Sequence, residues 1–226
     1  MATVATRALL LSTRTVGEAD LQVTLLTEVL GVVVAVGRSA QRSARRMPAL
    51  EPLHQLDVRL DDRGLERVAF LLESSVAVQR VGILAVPGRI VAAGKVLRWA
   101  RAALPQRMPD PDVWREMNAA LERLVDAAAP PVVLAEHGLR LLGALGWGLD
   151  FTACVRCGRR CAPGSAASVS ASAGGLVCRA CGGSMTVLHA RQRERLAAGA
   201  IDADDVGVVL QLVDDALQHH ASVSAP

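Results

Sequence analysis

Residues 154–183 read CVRCGRRCAPGSAASVSASAGGLVCRACGG, with two Cys-x-x-Cys pairs that are each followed by glycine. The pairs are Cys154/Cys157 and Cys178/Cys181. Two intervening residues let both thiolates of a pair face one ion, and four thiolates complete the tetrahedral shell that Zn²⁺ prefers. The sequence therefore predicts a closed zinc site with a structural role, because no coordination position is left for a substrate.

Other interpretations of these cysteines remain open: two disulfides, a redox-active pair, or a remnant that has lost its metal. Disulfides are disfavoured because nothing in the sequence indicates secretion. A redox pair would ordinarily be single and stand at the start of a helix that follows a strand. The fifth cysteine, Cys161, is expected to be a free thiol in the loop after Cys157.

The insert between the two cysteine pairs is poor in large apolar side chains, so we expect it not to fold by burial. Its order should come from metal binding, which supplies about 10 kcal/mol or more of folding free energy in small zinc modules. Residues 151–183 also carry arginines and no acidic residue. Because four thiolates around Zn²⁺ have a formal charge of −2, these arginines partly offset the charge of the site itself.

The composition is that of a folded protein. The chain has 226 residues, of which 51% are hydrophobic, and this allows one large or two to three small domains. Its net charge of +3 gives mild support for an anionic partner. The N-terminus is not expected to be a signal peptide, and no apolar run approaches the roughly 20 residues that cross a bilayer. We expect a soluble cytoplasmic protein with no membrane contact.

Short apolar runs in the first part of the chain predict five strands of a small barrel. They cover residues 7–14, 20–27, 31–38, 53–60 and 65–72. A sandwich fragment is the alternative. The loop at residues 39–51 contains Arg42, Arg45 and Arg46 and cannot bury these charges, so it should project as a basic finger.

Helical periodicity is expected from about residue 67 onward. A first helix should stop near Pro87, and a second should cover residues 90–104. Asp110 is a good cap for a third helix, because Pro111 then takes the first helical position. Three further helices are predicted at residues 130–146, 188–198 and 204–219. Trp99, Trp114 and Trp147 are expected in the helical core.

The order of these elements resembles the bacterial recombination mediator family RecO. The residues that carry the resemblance are Gly17-Glu18-Ala19-Asp20, Thr24-Leu25-Leu26-Thr27-Glu28, Gly31, Arg45-Arg46, Ala49-Leu50-Glu51-Pro52, the run 139–147 that leads into Cys154 to Gly158, and Gly174-Gly175-Leu176-Val177-Cys178 with Cys181. They span roughly residues 5–200.

The resemblance implies an α+β protein. Residues 1–78 would form an OB-fold barrel that binds DNA, and residues 79–226 a helical domain with a zinc-binding insertion at 151–183. Proteins of this family bind single- and double-stranded DNA and anneal complementary strands. With RecR, and with the C-terminal tail of the single-strand binding protein SSB, they help to load RecA onto single strands in the RecF pathway of DNA repair.

The DNA-contact candidates are arginines of the barrel. They are Arg38, Arg42, Arg45 and Arg46 in and beside the basic loop, with Arg7 and Arg14 on the first strand. Residues 1–66 contain no Phe, Tyr or Trp, so we expect no base stacking in this barrel. Contact with DNA should then be arginine to phosphate, which ignores sequence and depends on salt.

No pattern of an enzyme is evident, since Walker, nuclease and nucleophile-elbow motifs are all missing from the sequence. We therefore expect a non-enzymatic DNA-binding mediator. Two alternatives stay open: an RNA- or transcription-associated zinc-ribbon protein, and an enzyme that uses the cysteines.

Overall fold

The computed structural model describes residues 2–16, 18–40, 50, 52–64 and 67–224. The chain divides into two compact units, Met1–Asp126 and Ala127–Pro226. The first unit contains a barrel and the three helices that follow it. The domain boundary after residue 78 that the sequence suggests therefore stays a prediction.

Five strands close into a barrel in the first unit, which confirms the predicted OB-type architecture. Around the barrel the order is β1-β2-β3-β5-β4, with β4 pairing back onto β1. Only β3 and β5 run parallel among these pairs. The strands are β1 (Ala2–Val16), β2 (Asp20–Thr27), β3 (Gly31–Gly37), β4 (Gln55–Asp62) and β5 (Ala69–Val78).

The barrel forms because alternate residues of each strand are apolar and point inward. On β4 the side chains of Leu56, Val58 and Leu60 are buried, while Asp57 and Arg59 between them are exposed. A period of two is the signature of a strand with one buried face. The same alternation on the other strands fills the interior with small and branched aliphatic side chains.

The predicted helical periodicity from residue 67 is wrong, because residues 69–78 form β5. Ala69 and Leu71 are buried and Phe70 between them is half-exposed, which is strand alternation. Pairing along β4 supplies the hydrogen bonds of this segment, so the tertiary context overrides the helical pattern. The barrel therefore extends to Val78, beyond residue 67, where the sequence suggested a change from strand to helix.

Three helices complete the first unit: α1 (Val81–Leu84), α2 (Pro87–Ala103) and α3 (Pro111–Leu124). Pro87 starts α2 rather than stopping a helix, because a first-turn residue needs no amide hydrogen for the helix. The predicted cap of α3 is confirmed: the Asp110 carboxylate accepts from the amides of Asp112 and Val113 at 2.9 and 3.1 Å. Trp99 is buried as expected.

A buried arginine joins the end of β5 to α3. Arg80 is 2% exposed, and its guanidinium donates to the Leu53 carbonyl at 3.0 Å and to Asn118 Oδ1 at 2.9 Å. Its Nε lies 3.5 Å from a Glu122 carboxylate oxygen. These contacts offset the cost of burying the charge, so the segment after the barrel is fixed by polar as well as apolar contacts.

The second unit combines three helices with a small four-stranded sheet. The helices are α4 (Pro130–Ala144), α5 (Ala190–Ala197) and α6 (Val206–Ser224), and α6 packs on α4. The strands are β6 (Asp150–Cys154), β7 (Ala167–Ser170), β8 (Gly175–Leu176) and β9 (Thr186–Leu188), in the order β6-β8-β7-β9. Leu188, predicted to start a helix, belongs to β9.

Two contacts fix α6 within this unit. The Trp147 ring stacks on His220 with 4.8 Å between centroids, and both side chains are half-buried, so Trp147 is less buried than expected. Before α6, the fully buried Asp205 carboxylate accepts from Arg195 at 2.7 and 2.8 Å. The Arg195 hydrogen bonds hold the pKa of Asp205 below its usual range. One of the C-terminal aspartates is therefore structural.

Among the described residues, none of the helices has the length and apolar character needed to cross a bilayer.

Gly31, at the start of β3, is a position where only glycine fits. Its φ is +66°, and a Cβ there would lie 2.4 Å from the Met108 carbonyl oxygen. The contact arises because the loop after α2 crosses β3, where the Arg107 amide donates to the Val32 carbonyl at 2.9 Å.

We expect Gly31→Ala to lower the free energy of unfolding of the first unit by about 3 kcal/mol or more, since strain and a backbone clash add. The matched control is Gly64→Ala, where φ is +87° but nothing lies within 4 Å of the added Cβ. The control should lose only about 1–2 kcal/mol. Urea denaturation followed by tryptophan fluorescence measures both, and equal losses would contradict the packing argument.

Candidate metal centre and nucleic-acid interface

Four sulfur atoms converge in the second unit. The Sγ atoms of Cys154, Cys157, Cys178 and Cys181 all lie within 4.8 Å of one another, and those of Cys157 and Cys178 are 3.8 Å apart. In a tetrahedral site with Zn–S bonds of about 2.3 Å, neighbouring sulfurs are about 3.8 Å apart. The four cysteines singled out in the sequence are thus close enough to hold one metal ion.

The backbone of each knuckle turns back toward the sulfurs. Gly158 and Gly182, the residues after each pair, have φ of +73° and +104°, which other residues rarely adopt. The Cys178 amide donates to Cys154 Sγ at 3.3 Å. Amides directed at sulfur stabilise negative charge there, as a metal–thiolate centre requires.

The sulfurs differ sharply in acidity. The hydrogen bond from the Cys178 amide is the main reason that the pKa of Cys154 falls to about 6. Side-chain contacts with Cys178 and then Cys157 raise the pKa of Cys181 to about 12. A bound divalent cation would favour the thiolate form of all four cysteines.

The insert between the knuckles folds partly by burial, contrary to the expectation from its composition. Val169, Leu176 and Val177 are at most 2% exposed, and β7 and β8 pair with each other within the insert. The composition did not indicate this burial, because a few large side chains are enough to fill the core of a small sheet.

A buried arginine of α5 also holds the insert. Arg193 is 4% exposed and donates to the carbonyls of Ser165 and Ala162 at 3.1 and 3.3 Å. The neighbouring Glu194 carboxylate accepts from the Gly164 amide at 2.6 Å. The loop at residues 162–165 is therefore attached to a helix independently of any metal.

Cys161 lies outside the metal cluster, as predicted. Its sulfur contacts the Ser165 carbonyl at 3.9 Å and is half-buried.

Four arginines close in sequence to the cysteine pairs are exposed to solvent. They are Arg156, Arg159, Arg160 and Arg179. Arg156 donates to the Cys181 carbonyl at 2.6 Å, so one of these four arginines stabilises the backbone of the second cysteine pair.

The barrel brings some of the predicted DNA-contact arginines together and separates another. Arg14 pairs in register with Gln22 of β2, which pairs with Val36 of β3, and Arg38 follows two residues later. Arg14 and Arg38 are thus exposed at one end of the β1-β2-β3 surface. Arg42, Arg45 and Arg46 lie outside the described residues.

Arg7 lies elsewhere on the barrel. It is seven residues before Arg14 on β1, a distance of about 23 Å along the strand. Its cross-strand partner is Asp57. Both line a groove of about 760 Å³ that also contains Glu28, Arg59 and Glu73, so charges of both signs surround Arg7.

The barrel carries an aromatic side chain that the sequence analysis missed. Phe70 is half-exposed on the outer face of β5, and the guanidinium carbons of Arg38 and Arg63 each lie 4.5 Å from its ring centroid. The expectation of an aromatic-free barrel is wrong because it stopped at residue 66. Strand alternation from Ala69 to Leu71 would have placed Phe70 outside.

Comparison with known families covers nearly the whole chain. Residues 1–76 match the family model described as recombination protein O N terminal, and residues 87–222 match recombination protein O C terminal. The chain belongs to the recombination protein O family. This confirms the resemblance drawn from the sequence, and it identifies the protein as a recombination mediator of DNA repair.

For this member of the recombination protein O family, we expect one metal ion bound per chain by the four clustered cysteines. Elemental analysis should find the ion retained in Cys161→Ser and lost in Cys157→Ser, because only the latter removes a ligand. Each variant replaces one cysteine sulfur with oxygen in the same segment of the chain, so Cys161→Ser is a matched control for Cys157→Ser.

Thiol titration gives an independent measurement. The native protein should react rapidly at one cysteine, and all five should react after strong chelation. Rapid reaction of all five before chelation, or metal retained by Cys157→Ser, would contradict a four-cysteine site.

Proposed function

We propose that this family member is a non-enzymatic mediator that binds single- and double-stranded DNA and anneals complementary strands. With RecR it would help to load RecA onto strands coated with SSB. Membership of the recombination protein O family is the observation that carries the proposal. The exposed arginines on the outer face of the barrel support it, because they offer phosphate contacts that ignore sequence.

In this proposal the metal is Zn²⁺ and its role is structural. Four thiolates suit zinc, and a complete set of protein ligands leaves no position for a reacting water. Bound zinc would hold the two knuckles together, while Val169, Leu176 and Arg193 hold the rest of the insert.

A groove in the second unit supports the proposal that this protein binds the C-terminal tail of SSB. In the SSB proteins that work with this family, the tail is acidic and ends in phenylalanine. The groove has a volume of about 310 Å³ and is walled by Leu139, Phe151, Leu196 and Ile201. The exposed Arg140 stands at its wall, on the same helix as Glu136. An apolar cleft beside a guanidinium fits an aromatic residue with a terminal carboxylate.

Annealing of complementary oligonucleotides tests the function directly. The protein should accelerate annealing of bare strands and, with RecR present, of strands coated with SSB. Arg140→Ala should lose much of the effect on coated strands and keep it on bare ones. The control Arg191→Ala changes an exposed arginine of α5 that does not line the groove, and it should behave as wild type.

Failure to anneal bare strands would contradict the mediator proposal. Equal loss with Arg140→Ala on bare and coated strands would contradict the assignment of the groove to the SSB tail. Binding to RNA in preference to DNA would favour an RNA- or transcription-associated role.

Salt dependence tests the phosphate contacts. Each contact contributes about 0.9 to the slope of log affinity against log salt for duplex DNA. Replacing Arg42, Arg45 and Arg46 together with Ala should therefore reduce the slope by about 2–3, and Arg38→Gln alone by about 0.9.

Two single variants serve as comparisons for the slope. Arg59→Gln should leave it unchanged, because Arg59 is paired with Glu73 at 2.9 Å on another part of the barrel. For Arg7, a DNA-contact candidate from the sequence that stays untested, we propose only a small effect of Arg7→Gln, since Asp57, Glu28 and Glu73 line the same groove. An unchanged slope in the triple variant would contradict the proposal that the basic loop contacts DNA phosphates.

A further inference from the structure

We propose that Phe70 is a stacking platform for an unpaired base of single-stranded DNA. The inference rests on the proposed DNA-binding function and adds to it a residue that distinguishes unpaired from paired bases. A phosphate-only surface cannot make that distinction, because both forms of DNA present phosphates.

The Phe70 ring lies in line with an arginine that is proposed to contact phosphate. Phe70 pairs in register with Val36 of β3, which continues through Gln22 of β2 to Arg14 of β1. These four residues form one row across the outer face of the barrel, and all four side chains are exposed or half-exposed. The row therefore joins the aromatic ring to the arginines proposed to contact phosphate.

The Phe70 ring already contacts two flat side-chain groups. The guanidinium groups of Arg38 and Arg63 already lie against it, each with its central carbon 4.5 Å from the centroid. These contacts show that flat, charged groups already pack against the ring. A nucleobase has the same shape and can take the place of a guanidinium.

The two arginines differ in how firmly they are held. Arg63 donates through Nε and a terminal nitrogen to one oxygen of Asp61, at 3.0 and 2.8 Å. Arg38 has no such carboxylate among the described residues. We therefore assign the base to the position that Arg38 occupies in the free protein, and Arg38 then turns to the adjacent phosphate. Arg63 stays in place and keeps the ring oriented.

Abasic DNA provides the sharpest test. Wild type should bind an oligothymidine about tenfold more tightly than an abasic strand of equal length, because stacking is lost with the base. Phe70→Leu should bind both strands with the weaker affinity, and Phe70→Trp should restore the difference. The affinity for a duplex should be the same in all three proteins, since its bases are not available.

The salt slope separates stacking from mere positioning of arginines. Phe70→Leu should leave the slope unchanged, because no phosphate contact is removed. Val36→Ala is the matched control: it removes apolar surface from the same row and should keep the preference for bases over abasic sites. Far-ultraviolet circular dichroism and urea denaturation check that each variant folds.

The outcomes separate the two proposals. If wild type binds neither single strands nor duplex at low salt, the DNA-binding function fails and this inference fails with it. If DNA binds but wild type ignores the loss of bases, the function stands and the stacking platform is wrong. A loss in Phe70→Leu that is equal for single strands, abasic strands and duplex, with a reduced slope, would mean that the ring only positions Arg38 and Arg63. Tighter binding of single-stranded RNA than of DNA would overturn the choice of DNA.

Discussion

Closure of the barrel depends on a short parallel contact between β3 and β5. Two residue pairs make it, Ala35 with Ala69 and Val36 with Phe70. Every other neighbouring pair in the barrel is antiparallel and has a longer register. Because side chains alternate across a strand, one pair faces the core and the other faces solvent. The contact that completes the core therefore also places an aromatic ring beside the end of β3, where Arg38 follows.

The barrel and the cysteine module (residues 151–183) are stabilised in different ways. The barrel buries alternate aliphatic residues on five strands, so the hydrophobic effect dominates its stability. The cysteine module has a much smaller core, built on Val169, Leu176 and Val177. It adds the buried guanidinium of Arg193 and four converging sulfurs. A metal ion would then lock two knuckles that the sheet already brings close together, rather than organise an unstructured loop.

The sequence predicted most of the architecture, and its failures have identifiable causes. Strand alternation, the Asp110 cap and the cysteine spacing are local signals, and each was confirmed in the fold. The fifth strand was predicted, but its second half was assigned to a helix, because its apolar residues also fit a helical period and only pairing with β4 decides between the two. Nothing local could reveal that Arg80 is buried, since its partners Leu53 and Asn118 are distant in sequence. Phe70 was recoverable, because its neighbours alternate as a strand requires.

The free energies of cation–π contact and base stacking explain how an aromatic ring is compatible with the proposed sequence-independent binding of DNA. A guanidinium over an exposed ring contributes about 0.5–1 kcal/mol, whereas stacking of one base contributes about 1–3 kcal/mol. Exchanging Arg38 for a base is thus favourable by only a small margin, and the freed guanidinium regains part of its energy from a phosphate. Every base has a flat face, so the gain is independent of sequence. It is confined to unpaired strands, and it is small enough to be compatible with the proposed annealing, in which a strand must be released when it pairs.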